Sequence, residues 1–347
     1  MRVLITHELF APDFAGGGEY VVLEMARHLQ RKGVEVKVLT TGNPSDTAYE
    51  GISTVRLPIS RYRFNLAVRE IAHHAKDCDL IQTCTYHASL PSLLAAGMLH
   101  KPVLCLVLGL FQQAWKEMRA GAGGAFRIAW ERFLLRRGFS RIIFISDYSR
   151  EIGVSLGANP ERSVVNFPGV RLEDYNPGAA KEDVVLYVGK LDVRKGITDF
   201  LETARALPAI RFQVLGWGER TEEFRAAAPA NVEFPEFERG APLALAFSRA
   251  RICLLPSRAE TFGVALVEAM ASGCAVISSI PLEFEGVRVQ AGDVPAMVSA
   301  VQSLLGDAQL TRSMGCRNAL LAQQYTWDRF AGLLLNLYQD ALLEAAR

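Results

Sequence analysis

The feature that most constrains the fold is an alternation, repeated twice along the chain, of short apolar runs with longer amphipathic segments. Val3–Thr6 and Val103–Val107 are such runs in the first half, and Val184–Val188 and Ala275–Ser278 are such runs in the second. Their length and aliphatic content are typical of buried parallel strands. The segments between them have the apolar period of a helix. Because alternating strands and helices form doubly wound parallel sheets, the two series predict two α/β domains.

A passage rich in proline and glycine separates the two series. It runs from Asn166 to about Asp183 and is typical of a domain linker. The chain of 347 residues, half of them apolar, is long enough for two such domains. We therefore predict domains at residues 1–170 and 171–327, with a last helix at about 328–347 that could return to the first domain. Two doubly wound halves would face each other across a cleft, where a ligand would bind.

Composition excludes several classes of function. The 38 basic and 37 acidic residues nearly cancel, so no overall positive field favours nucleic acid as a partner. The six cysteines are dispersed and contain no C-x-x-C pair, which indicates reduced core thiols rather than disulfides or a zinc site. The chain enters a strand pattern directly from Met1, without a signal-peptide pattern, and its longest apolar run is too short to span a bilayer. We expect a cytoplasmic protein.

Two glutamates in the spacing E-x7-E flank a predicted junction between strand and helix. Ile252–Leu255 predicts a strand that Pro256 ends, and Val264–Ser272 predicts the following helix, so Glu260 falls in the loop and Glu268 on the helix. The start of a helix beyond the carboxyl end of a parallel strand offers N–H groups to an anion, and carboxylates bind pairs of sugar hydroxyls. This arrangement suits a nucleotide sugar. Alternatively, Glu260 is solvated and Glu268 only pairs on its helix.

Two glycine-containing loops follow other predicted strands. Gly189–Gly196 carries Lys190, Arg194 and Lys195, three cations that could neutralise a diphosphate, although such a loop could also be a solvated basic surface. Gly16–Gly18 follows the first strand, where a backbone without Cβ atoms could approach a phosphate or sugar. This second loop lacks the G-x-G-x-x-G spacing, which disfavours a nicotinamide enzyme.

The segment from Phe111 to Arg141 differs from the rest of the chain. Aromatic residues such as Trp115 and Trp130 alternate there with seven basic residues against two glutamates. Such a segment could lie on an anionic membrane surface, or it could be a packed helix with a solvated basic face. Gly121 to Gly124 break the segment, so we do not expect one long membrane helix there.

Together and in order, five pieces of the chain resemble the family-4 retaining glycosyltransferases of the GT-B fold, over nearly the whole length. The pieces are Pro12–Glu19, Gly189–Gly196, Leu215–Glu219, Leu255–Ser257 with Glu260–Ala271, and Tyr325–Trp327.

The resemblance implies the GT-B fold, α/β, with two Rossmann-like doubly wound domains. It implies that Glu268 binds the ribose of a nucleotide diphosphate sugar, that Glu260 binds its sugar hydroxyls, and that Lys190 and Lys195 bind its diphosphate. Glu260, Lys190 and Lys195 would be the catalytic residues. The full set of implied donor-binding residues is Gly16, Gly17, Gly18, Lys190, Lys195, Gly216, Phe237, Glu260, Thr261, Phe262, Gly263, Val264 and Glu268.

One position departs from the family. Many members have a histidine beside the reacting sugar carbon, after the strand that ends near residue 107, where this chain has Leu108. A leucine can neither hydrogen-bond nor carry a proton. His87, after the preceding predicted strand, is the nearest substitute, although a lone histidine is more often structural.

These observations predict a retaining glycosyltransferase that moves a sugar to an unidentified acceptor and requires no metal or other cofactor. The retaining mechanism proposed for this family needs no protein nucleophile, because the leaving phosphate takes the proton of the acceptor. A second hypothesis, suggested by Leu108, is a catalytically degenerate binding or scaffold subunit. A third is an epimerase or phosphorylase on the same fold.

Overall fold

The computed structural model describes residues 1–13, 16–112, 115 and 122–347. These residues divide into two compact units, one of Met1–Gly169 with Trp327–Arg347 and one of Val170–Thr326. The sequence placed the boundary after residue 170, and the structure places it after Gly169.

The first unit contains an eight-stranded sheet in the order β3-β4-β2-β1-β5-β6-β7-β8. Every pairing is parallel except that of β3 with β4. The strands are β1 (Arg2–Thr6), β2 (Glu35–Thr41), β3 (Ala48–Tyr49), β4 (Ile52–Leu57), β5 (Leu80–Cys84), β6 (Val103–Val107), β7 (Arg141–Phe144) and β8 (Ser163–Val165). The helices are α1 (Gly17–Arg31), α2 (Val68–Ala75), α3 (Ser89–Leu99), α4 (Ala122–Leu135) and α5 (Asp147–Ser155).

The second unit contains a six-stranded parallel sheet in the order β11-β10-β9-β12-β13-β14. The strands are β9 (Glu182–Lys190), β10 (Arg211–Trp217), β11 (Val232–Glu233), β12 (Ala250–Leu255), β13 (Ala275–Ser278) and β14 (Gly286–Arg288). The helices are α6 (Ile197–Ala206), α7 (Thr221–Ala227), α8 (Ala241–Arg249), α9 (Val264–Ala271), α10 (Val294–Gly306) and α11 (Ala308–Ala322). From the centre of the sheet, β9, β10 and β11 follow one another towards one edge, and β12, β13 and β14 follow one another towards the other edge. This is the strand order of a Rossmann sheet.

The last helix, α12 (Trp327–Ala345), packs on the first unit although it follows the second unit in sequence. Its Tyr338 hydroxyl donates to Gln82 Oε1 at 3.1 Å, and Asn166 Nδ2 donates to the Phe330 carbonyl oxygen at 3.0 Å. Asp328, near its start, pairs with Lys32 at 2.7 Å.

The central strands are buried because both faces of each sheet are covered. Val3, Leu4 and Ile5 of β1 have no exposed surface, and neither do Val185 and Leu186 of β9. Such two-sided burial explains why these strands are continuous apolar runs rather than alternating patterns.

Several short elements were not predicted from the sequence. They are α5, α7, β8 and β14, and they have nine residues or fewer. Elements of that length have too few periodic positions to distinguish them from loops.

The structure describes the basic segment only in part, so the expected break of this segment at Gly121 to Gly124 stays a prediction. α4 begins at Ala122 and includes Gly123 and Gly124, because glycine is tolerated in the first turn of a helix. Residues 113–114 and 116–121, which contain the rest of the expected interruption, lie outside the described residues. In the portions of the chain that the structure describes, no helix is both long and apolar enough to cross a membrane.

Candidate active site

Two predicted site loops lie beside each other in the second unit, at the point where the strand order reverses. The loop with Lys190 and Lys195 follows β9, and the loop with Glu260 follows β12, which pairs with β9. Open parallel sheets bind ligands at this reversal, because the helices after the two strands leave a crevice there. The backbone N–H of Arg258 donates to the Arg194 carbonyl oxygen at 2.8 Å, which joins the two loops.

The lysine loop is a short 3-10 turn, Val193–Lys195, between β9 and α6. The Asp192 side chain caps it by accepting from the Lys195 backbone N–H at 3.0 Å. Gly196 ends the turn with φ +76°, and a Cβ atom there would lie 2.1 Å from the Pro256 carbonyl oxygen. Only glycine fits this position, because the backbone is left-handed and touches the end of β12.

Lys195 and Glu260 form an ion pair between the two loops. Their side chains are 24% and 17% exposed, so a ligand can still reach the pair. Burial alone would raise the pKa of Glu260, but the charge and hydrogen bond of Lys195, with help from Arg194, lower it. Glu260 is therefore a carboxylate at neutral pH and can accept hydrogen bonds from hydroxyl groups.

Lys190 is the second predicted cation and ends β9. It is partly buried, and in the described ranges of the chain it has no carboxylate within ion-pair distance. Its charge is therefore available to an anion.

Glu260 leads directly into the start of α9. Thr261 and Phe262 are buried, and the Phe262 ring packs on Tyr325 with centroids 5.7 Å apart, so their side chains belong to the core. Gly263 is the N-cap, with φ +87°. The Leu266 and Val267 N–H groups donate to the Gly263 carbonyl oxygen at 2.9 and 3.3 Å, and the Val264 N–H comes before these bonds, where a helix offers an N–H to a phosphate.

Glu268 lies further along α9 and is partly buried. Its Oε1 accepts from the Tyr175 hydroxyl at 2.9 Å. Burial raises the pKa of Glu268 to about 7, while the Tyr175 hydrogen bond and the charge of Arg239 act in the opposite direction. This carboxyl group therefore titrates in the neutral range, unlike that of Glu260.

An aromatic pair lies at the end of β10 and in the loop after β11. The rings of Trp217 and Phe237 are 4.7 Å apart and tilted by 31°, and the Arg239 guanidinium lies 5.1 Å from the Trp217 ring. Gly216, the residue before Trp217, could not carry a side chain, since a Cβ atom there would lie 2.3 Å from the Gly189 carbonyl oxygen. Stacked aromatic rings of this kind suit the planar base of a nucleotide.

The glycine loop Gly16–Gly18 belongs to the first unit and begins α1. The Gly16 N–H donates to Glu19 Oε2 at 2.9 Å. A Cβ atom on Gly18 would lie 3.3 Å from Leu108 Cδ1, so the leucine in the family histidine position packs against this loop. The structure thus places Gly18 beside Leu108, with Gly16 and Gly17 in the same unit, and it places the other ten predicted donor-binding residues in the second unit.

His87 follows β5 and lies in a polar cluster of the first unit. Asn65 Nδ2 is 2.7 Å from its Nδ1, and the Tyr62 ring centroid is 5.5 Å away. Burial lowers the pKa of His87; Glu8 opposes this, and Arg127, Arg61 and His7 add to it. His87 is therefore a neutral imidazole at pH 7, with one nitrogen occupied by Asn65.

Glu131 of α4 joins the loops after β5 and β6. It is 2% exposed and accepts from the Tyr86 hydroxyl and Trp115 Nε1, both at 2.7 Å. It also accepts from the Phe111 and Gln112 N–H groups at 3.0 and 3.2 Å. A buried carboxylate is stable only with such partners, so Glu131 holds these loops in one arrangement.

Tyr175, Trp217, Arg239 and Glu131 were not among the predicted site residues. Trp217 lies in the motif Leu215–Glu219 that carried the resemblance, so a signal for it was present. Tyr175 and Glu131 are far in sequence from the residues that they contact, and no local pattern could have indicated them.

The described part of the chain contains no cluster of three or more His, Cys, Asp or Glu residues with the geometry of a metal site.

Two family models match the chain. Glycosyltransferase Family 4 matches residues 15–174, and Glycosyl transferases group 1 matches residues 182–307. Together they cover most of both units.

Curated relatives and solved structures agree with these matches. D-inositol 3-phosphate glycosyltransferase of Mycobacterium avium is 25% identical, over 95% of this chain and 90% of the relative. The structure of sucrose-phosphate synthase from Thermosynechococcus elongatus has a TM-score of 0.82 at 20% identity and covers 100% of both chains. Anabaena HepE in complex with UDP-glucose has a TM-score of 0.78 at 17% identity and covers 98% of this chain and 100% of its own. The predicted fold class is confirmed, and the chain belongs to the family-4 glycosyltransferases of the GT-B fold.

Proposed function

We propose that this glycosyltransferase transfers a sugar from a uridine diphosphate sugar to an acceptor hydroxyl, with retention of anomeric configuration and without a required metal. The observation that carries the proposal is the ion pair of Lys195 with Glu260 at the start of α9, beside the unpaired Lys190. The choice of uridine is supported by the similarity to Anabaena HepE, which was solved with UDP and with UDP-glucose.

We assign a group of residues to each part of the donor. Lys190, Lys195 and the first N–H groups of α9 would hold the diphosphate and stabilise the charge that develops on it as the sugar departs. Glu260 would accept hydrogen bonds from the sugar hydroxyls, and Glu268 from the ribose hydroxyls. Trp217, in its pair with Phe237, would flank the base.

Retention follows if the acceptor attacks from the face that the phosphate leaves. The departing phosphate would then take the proton of the acceptor hydroxyl, and the protein would supply orientation and positive charge. Leu108 is compatible with this role, because the step requires no side chain that carries a proton. Lys190 and Lys195 would supply the positive charge that a metal ion supplies elsewhere.

Calorimetric titration with UDP-glucose, ADP-glucose and GDP-mannose tests the donor site. We expect UDP-glucose to bind in the micromolar to millimolar range and Glu268→Ala to abolish that binding, whereas binding of ADP-glucose or GDP-mannose alone would contradict the choice of uridine. Glu222→Ala is the matched control, since Glu222 is an exposed glutamate of α7 in the same unit. If no donor binds, the proposal is wrong and the scaffold hypothesis replaces it. Formation of an altered sugar from donor alone would instead indicate an epimerase.

For the acceptor, we propose a polyol that carries a phosphate group. The positive charges of Arg61 and Arg127 both lower the pKa of His87. Within the described residues, neither arginine forms an ion pair with a carboxylate. The Arg61 Nε atom is buried without a hydrogen-bond partner. Two proteins to which the chain is similar, D-inositol 3-phosphate glycosyltransferase and sucrose-phosphate synthase, are named for phosphorylated compounds. Transfer to inositol 3-phosphate, but not to free inositol, would support the proposal. Equal transfer with and without the phosphate would refute it.

We further propose that the protein is cytoplasmic and binds the inner face of the membrane through α4. Phe126, Trp130 and Phe133 form a stacked row on this helix, with Phe126 62% exposed. Arg132 and Arg137 flank the row, and a row of exposed aromatic residues with cations suits an anionic bilayer surface. Sedimentation with phosphatidylglycerol vesicles at low salt should be lost in Phe126→Ser. Failure of the unmodified protein to sediment would contradict this proposal.

A further inference from the structure

We infer that Tyr175 is a positioning residue for the donor site: its hydroxyl holds Glu268 in the orientation that accepts the ribose hydroxyls. This inference rests on the proposed function, since it assumes that Glu268 binds a donor. Tyr175 lies in the segment that begins the second unit, 93 residues from Glu268 in sequence.

The structure holds the Tyr175 ring in place independently of Glu268. The ring packs edge-on against Phe247 of α8, a fully buried residue, with centroids 6.3 Å apart. The Tyr175 N–H donates to the Leu172 carbonyl oxygen at 3.1 Å. These contacts fix the position of the hydroxyl group, which donates to Glu268 Oε1 at 2.9 Å.

The residues after Tyr175 are fastened to the same two helices. The Asn176 N–H donates to Ser248 Oγ at 3.3 Å, at the end of α8. Lys181 Nζ donates to the Ser272 carbonyl oxygen at 2.6 Å, just after α9. The segment is thus attached to α8 and to the end of α9, the helix that carries Glu268. Movement of this segment would move the tyrosine hydroxyl away from the carboxylate.

The groups that face Glu268 come from several elements. Tyr175 and Asp174 belong to the linking segment, Arg239 to the loop before α8, and Cys253 to β12. Burial has the largest effect on the Glu268 carboxyl and favours its protonated form, Asp174 acts in the same direction, and Tyr175 and Arg239 favour the carboxylate. A carboxylate accepts hydrogen bonds from two ribose hydroxyls, whereas a carboxylic acid is a weaker and less symmetric acceptor. The Tyr175 hydroxyl therefore orients Glu268 and keeps it in the form that binds.

Tyr175→Phe removes the hydroxyl and keeps the ring against Phe247. The first measurement is a carboxyl-carbon NMR titration of Glu268 in the protein without donor, for the original chain and for Tyr175→Phe. The second is the affinity for UDP-glucose between pH 5.5 and 8.5 by calorimetry. Tyr338→Phe is the matched control, because it removes a buried hydroxyl that hydrogen-bonds Gln82 in the other unit.

We expect Tyr175→Phe to raise the pKa of Glu268. It should also weaken the binding of UDP-glucose about three- to tenfold at pH 7, the effect of losing a hydrogen bond to a charged group. The acid limb of the affinity profile should shift to higher pH, because the carboxylate is lost sooner as pH falls. In a Glu268→Gln background the same change should have no further effect on affinity.

An unchanged Glu268 pKa, or an equal loss of affinity in the Glu268→Gln background, would refute the inference, since Tyr175 would then not act through Glu268. If the unmodified protein bound no donor at any pH, the proposed function would be wrong as well. If it bound donor and Tyr175→Phe left that affinity unchanged, only the role of Tyr175 would be wrong.

Discussion

Gly196→Ala is the change for which the structure gives the most specific expectation. Gly196 has φ +76°, and a left-handed conformation costs a residue with a Cβ atom about 1–2 kcal/mol. The added Cβ atom would also lie 2.1 Å from the Pro256 carbonyl oxygen, where ordinary contacts begin near 3.4 Å. The lysine loop and the end of β12 would have to separate by about an ångström to relieve this overlap.

That separation would break the contacts that join the two loops. The hydrogen bond from the Arg258 N–H to the Arg194 carbonyl oxygen and the ion pair of Lys195 with Glu260 both cross the gap. At about 1 kcal/mol for each lost contact, the second unit should lose about 3–4 kcal/mol in its free energy of unfolding. Because Lys195 would move with the loop, the affinity for UDP-glucose should also fall.

Gly292→Ala is the matched control in the same unit. Gly292 has φ +87°, but the nearest atoms to an added Cβ are the flexible Arg258 guanidinium nitrogens at 3.8 Å. Only the conformational cost remains there, about 1–2 kcal/mol. Urea unfolding followed by tryptophan fluorescence measures both variants, and calorimetry measures their donor affinity. If the two variants lost the same stability and Gly196→Ala bound donor normally, the argument from the close approach would be wrong.

Three further predictions concern charged groups. Lys195→Met should weaken the binding of UDP-glucose about ten- to a hundredfold, the equivalent of one charge-assisted hydrogen bond, as measured by calorimetry. It should also raise the pKa of Glu260 in an NMR titration, because the positive charge that lowers this pKa most is removed. Donor affinity should fall as pH decreases through about 7, since Glu268 then becomes protonated, and Glu268→Gln should remove this dependence; a rise in affinity at low pH would contradict the assigned role. Glu131→Gln should lower the free energy of unfolding by about 2–4 kcal/mol, because an amide cannot accept hydrogen bonds from all of the donors that surround this carboxylate. Glu151→Gln is the control, an exposed change in α5 that should have almost no effect on a thermal melt.

Most of the fold could be predicted from local pattern. Val103–Val107 and Ala275–Ser278 have the predicted bounds in the structure, because each is a short, mostly apolar element that comes shortly after a proline or a glycine. Gly123 and Gly124 lie in the first turn of α4, since glycine weakens a helix without preventing it.

The motifs of the candidate site were also visible in the sequence, as Glu260, Glu268, Lys190 and Lys195 lie at strand ends in a chain whose strands could be recognised. Their arrangement could not be derived in the same way. The pairing of Lys195 with Glu260 spans 65 residues, and it forms only because β9 and β12 are neighbours in the sheet.

The sequence by itself therefore determined the fold class, the family and the loops that carry the chemistry, because helical and strand periods and short glycine-rich turns are local properties of the chain. Only the tertiary structure decided the electrostatic state of the two glutamates. Glu260 has a lowered pKa because Lys195 reaches it, and Glu268 has a pKa of about 7 because burial outweighs Tyr175 and Arg239. Burial and long-range partners set a pKa, and neither is encoded in the residues next to a glutamate.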